Sequence, residues 1–173
     1  MREFRIEETE SKDKESMEEL GRFRLEVWRD ETIVNEALFL NGVWLESLDF
    51  QARHWVAKDS HGLVGAARLT VHDTLASNPD GYLFERAGKI IPAPVAHLCK
   101  LVVHERARGK GLGSQLNKIR VDAARMMGAR SIVVTASEIN SRLLSQLGFA
   151  DTGIRESFPN RPGFEFRAMQ LVF

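Results

Sequence analysis

The sequence predicts a mixed α/β sheet in one domain, and three observations carry that prediction. Its 173 residues match one domain at about 150 residues each. Hydrophobic residues make up 43% and charged residues 28%, the balance of a globular chain rather than a disordered one. The predicted elements run β-α-(α)-β-β-β-α-β-α-β-β, which is not the regular alternation of a doubly wound fold.

Alternation around Phe4 and Ile6 predicts a short first strand. Ser11 to Asp30 reads as a helix, because Met17, Leu20, Phe23 (or the stem of Arg24) and Val27 recur at spacings of three and four. Asp30 to Ala52 is irregular and carries five acids (Asp30, Glu31, Glu36, Glu46, Asp49) and no base. His54–Lys58 and Leu63–His72 predict two strands joined by the turn Asp59-Ser60-His61-Gly62. Asn78-Pro79-Asp80-Gly81 is a strong turn signal, and Pro92 and Pro94 close an irregular stretch.

The second half is more regular. Val95–His104 predicts a strand, and Gly111–Met127 a helix with Leu112, Leu116, Ile119, Ala123 and Met127 as its buried stripe. Gly128 suits the C-cap. Ser131–Ala136 predicts a buried strand, Ser137–Leu147 a short helix closed by Gly148, and Ala150–Ser157 and Phe164–Phe173 two final strands. Asn160-Arg161-Pro162-Gly163 predicts the turn between them.

Composition also excludes several functions. Lys and Arg number 24, as do Asp and Glu, so bulk positive charge is not available to hold nucleic acid. A lone cysteine, Cys99, forms no internal disulfide, and no paired Cys/His set suggests a zinc site. No apolar run approaches the roughly 18 residues of a spanning helix. MREFRIEETESKDKE at the N-terminus has no apolar core of a signal peptide. A cytoplasmic protein with neither membrane nor nucleic-acid partners is the expectation.

The most informative stretch is Val102-Val103-His104-Glu105-Arg106-Ala107-Arg108-Gly109-Lys110-Gly111-Leu112-Gly113-Ser114. A strand ends, three glycines alternate, and an amphipathic helix begins. Glycine lets backbone approach a ligand closely. Unbonded amides and the positive dipole end at a helix start suit an anion. From His97 to Arg130 eight bases face two acids, a net of +6. A phosphate-bearing ligand is the physical expectation. The spacing fits neither the Walker A loop, since Gly111 follows Lys110, nor the dinucleotide G-x-G-x-x-G fingerprint.

Here the chain resembles the GNAT superfamily of acyl-CoA-dependent N-acyltransferases, whose signature is [Arg/Gln]-x-x-Gly-x-[Gly/Ala] after a strand ending in Val. Arg108, Gly111 and Gly113 fit it, five residues after Val103. The element order fits over almost the whole chain, and Gly148-Phe149 matches the family's Gly-Phe after its last helix. The resemblance implies a GNAT-like domain over residues 1–173, with a mixed, mostly antiparallel twisted sheet and helices on both faces. It implies that acetyl-CoA is the co-substrate. The amides of about Arg108, Gly109, Lys110, Gly111, Leu112, Gly113 and Ser114 would hold its pyrophosphate, and the strand edge at Leu101, Val102 and Val103 its pantetheine arm. A strand amide would polarise the thioester carbonyl, and a bound amine would attack it directly.

Direct attack needs a neutral amine, hence a base. His97 stands where some members carry a catalytic Glu, six residues before Val103, and an imidazole suits the task. Alternation places His97, Cys99, Leu101 and Val103 on one strand face. A histidine at a strand entrance that is merely hydrogen-bonded is the competing reading. The family's Tyr general acid falls at Leu144, and its usual Asn at Ser137, which stays on the cofactor side. Ser145 or water would have to donate the proton, unless the thiolate leaves unaided. The Asp30–Ala52 block corresponds to the family's acceptor region. Its net charge of −5 and its aromatic residues Phe39, Trp44 and Phe50 would suit a cationic amine with an apolar part.

A second resemblance is to acyl-homoserine-lactone synthases, through Arg24-x-x-Val27-Trp28, Glu46, Asp49 and Gly65-Ala-Ala-Arg68-Leu69. Expected first is an N-acetyltransferase acting on a primary amine of a small molecule or peptide. Alternatives are a lactone-synthase-like acyltransferase and a catalytically silent CoA-binding domain. The two C-terminal strands could also pair between chains in a homodimer.

Overall fold

The computed structural model describes residues 4–30, 39–157 and 163–173. The elements are β1 (Arg5–Thr9), α1 (Lys14–Asp30), β2 (Arg53–Asp59), β3 (Gly62–His72), α2 (Gly81–Arg86), β4 (Val95–Val103), α3 (Leu112–Met126), β5 (Ser131–Ala136), α4 (Glu138–Ser145), β6 (Ala150–Ser157) and β7 (Glu165–Val172). The strands form a seven-stranded sheet in the order β1-β2-β3-β4-β5-β7-β6. Pairing is antiparallel for β1–β2, β5–β7 and β6–β7, and parallel for β4–β5. A parallel pair needs a crossover, which α3 supplies in the chain. No helix among the described residues is long and apolar enough to cross a membrane.

The chain divides into two compact units, Met1–Arg68 with Lys100–Leu116, and Leu69–Cys99 with Asn117–Phe173. The core of the first is the stripe the helical spacing predicts: Met17, Leu20, Phe23 and Val27 of α1 pack with Val56, Leu63, Ala66 and Val102. Each such side chain, fully buried, contributes roughly 1.5–3 kcal/mol of hydrophobic free energy. β1 runs beside β2 from Arg5↔Lys58 to Thr9↔His54. Arg53 clasps Glu8 there with two 2.6 Å hydrogen bonds.

Two glycines shape this unit by what they omit. A Cβ on Gly21 would stand 2.4 Å from Val43 Cγ1, so only glycine lets residues 43–45 lie against α1. The Trp44 amide donates to the Gly21 carbonyl across that contact (3.1 Å). A Cβ on Gly65 would meet Leu112 Cδ2 at 2.8 Å, so the start of α3 sits closely on β3.

The second unit packs Leu83 and Phe84 of α2 against Val95, Val133 and Ala168. α2 is absent from the predicted order. The turn signal at Asn78–Gly81 is correct, but a six-residue helix begins directly on it. The predicted α3 stripe needs revision too. Leu112, Leu116 and Ala123 are buried, yet Met127 is 42% exposed, and Asn117 and Arg120 take inward positions instead. The predicted turn at Asn160–Gly163 and most of the acids at 30–36 lie outside the described residues.

Candidate active site

The glycine loop belongs to the first unit, and its shape follows from its residues. After β4, Glu105–Ala107 makes a 3-10 turn capped by His104, whose Nδ1 accepts from the Arg106 amide at 3.3 Å. The Arg108 guanidinium donates Nε–H back to the Val103 carbonyl (3.0 Å), closing the loop on the strand it leaves. Gly109 and Gly111 then adopt φ of 74° and 78°, where a Cβ is strained. Nothing lies within 4 Å of the place a Cβ would occupy on Gly109, so the backbone there is open to approach.

The first helical hydrogen bond runs from the Gln115 amide to the Gly111 carbonyl (3.1 Å). The amides of Leu112, Gly113 and Ser114 precede it and sit at the positive end of α3. Of the amides predicted to hold a pyrophosphate, that of Arg108 is already donated to the Glu105 carbonyl (3.1 Å). A cradle for such a group would therefore begin at Gly109. Arg106 is held by the Asp59 carboxylate (3.0 Å) and the Leu63 carbonyl (2.9 Å), so it braces the loop. The backbone from Gly109 to Ser114, together with Lys110, fits an anionic coenzyme pyrophosphate.

β4 breaks an expectation. Lys100 takes a left-handed φ of 52° within the strand, an unusual conformation for a lysine. The strict alternation expected from His97 through Val103 is interrupted there, and the pairing with β5 runs only from Val95 to Leu98. Arg120, 1% exposed, donates to the Cys99 carbonyl beside this kink (3.2 Å) and to Asn117 Oδ1 (2.6 Å). Burial lowers its pKa to about 10, which leaves it charged at neutral pH.

His97 lies in the second unit and is 4% exposed. Its Nε2 is 3.3 Å from Asp80 Oδ2, yet neither ring nitrogen completes a hydrogen bond. The His72 ring is 6.5 Å away, with Nε2 2.9 Å from Thr70 Oγ1. Ser137 is the N-cap of α4, accepting from the Asn140 amide (3.4 Å). Ser145 is exposed and donates to the Ser141 carbonyl (3.0 Å). Leu144, at the position of the family's tyrosine, is wholly buried.

A further constellation, within the first unit, was only partly legible in the sequence. Asp49, wholly buried, accepts from Arg24 and from Arg68, each at 2.9 Å on Oδ1, and from the Glu46 amide at 2.7 Å on Oδ2. Glu46 in turn takes Arg68 (3.1 Å), Lys100 (2.7 Å) and the Trp44 indole (3.2 Å). The Lys100 ammonium also lies 4.4 Å from the Trp44 ring centroid and 5.6 Å from that of Trp28, within cation–π range.

Burial would raise the Asp49 pKa, but the charges of Arg24 and Arg68 outweigh it and hold the carboxyl below its ordinary value. His54 Nε2–H donates to the Asp49 carbonyl (2.8 Å), so Nδ1 accepts from Arg24 (3.3 Å). Burial, reinforced by the two arginines, pushes the His54 pKa down to about 4. Two of the five acids expected to greet an acceptor are thus already paired with cations of the same unit.

A cavity of about 380 Å³ in that unit is a different place, lined by Glu7, Glu8, Glu10, Asp13, Glu19 and Lys58 among others. None of the loop residues lines it.

The acetyltransferase (GNAT) family model matches residues 8–149. No curated protein matches the chain. Among solved structures, an acetyltransferase of the GNAT family from Streptococcus pneumoniae superposes with a TM-score of 0.65 at 20% identity, covering 99% of each chain. Arylalkylamine N-acetyltransferase 2 from Aedes aegypti gives 0.68 at 16% identity, covering 98% of each. The CoA-dependent acyl-homoserine lactone synthase BjaI gives 0.71 at 15% identity, covering 98% of this chain and 83% of that one. At these identities the likeness is one of fold.

Proposed function

The chain belongs to the GNAT acetyltransferase family, and from that premise we propose that it transfers an acetyl group from acetyl-CoA directly to a primary amine of a small molecule or peptide. The observation that carries the reading is the loop from Gly109 to Ser114, where two left-handed glycines deliver a run of amides to the start of α3. Those amides and Lys110 would hold the pyrophosphate, and Leu101 to Val103 the pantetheine arm. When bound, acetyl-CoA supplies an acyl group activated as a thioester.

The chain's own residues do the rest. His97 takes a proton from the acceptor amine as it attacks. Leu144 has no proton to give, so Ser145 or water protonates the departing sulfur, unless it leaves as thiolate, which its pKa permits. The acceptor region favours a cationic amine with an apolar part, because Trp28, Trp44 and Glu46 already surround an ammonium, that of Lys100. We place the reaction in the cytoplasm, in keeping with a lone cysteine, Cys99, that forms no internal disulfide.

A second reading has its own support. Arg24, Trp28, Glu46, Asp49 and Arg68, the residues resembling acyl-homoserine-lactone synthases, converge through the contacts around Asp49, Glu46 and Lys100. Structures of BjaI hold MTA, or SAM with isopentyl-CoA. On this reading the acceptor is a methionine-derived amine.

Thermal unfolding with acetyl-CoA, CoA and ATP, in the wild type and Gly111→Trp, tests the donor. Acetyl-CoA at 100 times its dissociation constant should add about 2.7 kcal/mol, lost in the variant. No stabilisation of folded wild-type protein overturns the acetyl-CoA assignment. Thiol release over a panel of amines that includes S-adenosylmethionine then separates the two acceptors. Binding without release to any amine would instead indicate a silent CoA-binding domain.

A further inference from the structure

A buried base poses a problem of its own. A proton that reaches His97, at 4% exposure, must leave again before the next turnover, and the ring itself has little access to water. We propose that Asp80 orients His97 and carries its proton to solvent, so that the two form a working dyad. This rests on the reading that His97 is the base.

The geometry is specific. Asp80 Oδ2 stands 3.3 Å from His97 Nε2, while the Asp80 side chain is 32% exposed, so one carboxylate reaches both the buried ring and the surface. Its position is fixed from several sides. The buried Asn78 side chain accepts from the Asp80 amide (3.0 Å), and the Asp80 carbonyl accepts from Leu83 at the start of α2 (3.1 Å). A Cβ on the next residue, Gly81, would stand 2.2 Å from the Leu75 carbonyl oxygen, so the turn admits no side chain there. Thr135 of β5 donates its hydroxyl to the same Oδ2 (3.3 Å), keeping that oxygen aimed.

The titratable groups packed against His97 are Asp80, from the turn, and His72, from β3. From β5 its partner in register is the apolar Val133. Beyond Asp80, Tyr82 feels the charges of Glu156, Asp80 and Arg86. A carboxylate facing Nε2 favours the tautomer with its proton on Nε2, which leaves Nδ1 as the acceptor.

The step balances as follows. The amine nitrogen forms the new C–N bond, the C–S bond breaks, and the electron pair leaves on sulfur. The N–H proton passes to Nδ1 of His97. Nε2 gives its proton to Asp80 Oδ2, and Asp80 gives it to water; once the product has left, Nδ1 loses its proton to water in the vacated site while Asp80 returns one to Nε2, restoring the starting tautomer. His97 is the catalytic residue, and Asp80 is a positioning residue that also serves as the exit.

Ring NMR of His97 in intact protein, with amine-dependent thiol release alongside, tests the dyad. In the wild type the neutral ring should be the Nε2–H tautomer. Asp80→Asn should release that preference and populate the Nδ1–H tautomer. It should cut kcat about 10- to 100-fold and leave stabilisation by acetyl-CoA intact. His97→Gln should cost roughly 100-fold or more, with no further loss on adding Asp80→Asn. Thr135→Val, a milder change that leaves the turn alone, should move the tautomer balance the same way by less. An unchanged tautomer balance in both folded variants overturns the dyad, whatever the assay reports. Failure of the wild type to bind acetyl-CoA would remove the enzyme reading, while the ring spectrum would still decide whether Asp80 governs the ring.

Discussion

Two buried polar clusters in this protein are built to opposite specifications. Around Asp49 the carboxylate takes two arginines and a backbone amide, His54 uses both ring nitrogens, and Glu46 takes Lys100, Arg68 and an indole. Around His97 the ring is equally buried, yet its nitrogens stay uncommitted, with a half-exposed carboxylate at 3.3 Å. The Asp49 network, with its charges paired, resists rearrangement. An unsaturated one is costly to keep, and that cost is repaid where protons have to move.

The contrast can be broken at its strongest point. Asp49→Ala would leave Arg24 and Arg68 buried without their shared counter-charge, and about 3–5 kcal/mol of stability should be lost. Urea unfolding checks this, and a loss below 1 kcal/mol would mean that the cluster relaxes instead of holding the first unit.

Acid should reveal the same cluster without mutation. Folded His54 gains its proton only near pH 4, whereas the unfolded chain gains it near 6.5. As pH falls through that window the unfolded state binds the proton first, so stability present at pH 7 declines, by on the order of 3 kcal/mol. Asp49, also held below its ordinary pKa, adds to the loss below about pH 4. Denaturant unfolding at pH 7 and pH 5 should differ, and His54→Gln should flatten the difference.

Gly65→Val sharpens the comparison by disturbing neither cluster. Its Cβ would press on Leu112 at 2.8 Å. Overpacking of this kind costs about 1–3 kcal/mol, and displacement of the start of α3 should weaken acetyl-CoA stabilisation as well. The smallest effect belongs to Arg53→Ala. Its clasp on Glu8 is partly solvent-exposed, so about 0.2–1 kcal/mol is expected from thermal unfolding.

What the sequence disclosed, and what it hid, follows the range of the interactions. Spacing alone located the core face of α1 and the strands, because each is a local pattern. The glycine loop was legible for the same reason. Its fine structure was not: whether Arg106 serves a ligand or Asp59 depends on a carboxylate 47 residues away in sequence. Glu46 and Asp49 read as acids awaiting a cation, since nothing near them announces Arg24, Arg68 and Lys100. Asp80 read only as a turn residue, although its carboxylate approaches His97. Met127 falls just past the end of α3 at Met126, and Asn117 and Arg120 hold inward positions through bonds to Asn140 and Cys99. No hydrophobic periodicity encodes such a choice.

The wholly buried Leu144 constrains how this chain could have changed, or could be changed. A tyrosine restored there would have to force a phenol into space now filled by a smaller side chain, so the usual proton donor of the family is not one substitution away. Anyone redesigning the protein for faster turnover would do better to work outward from the exposed neighbouring position at Ser145.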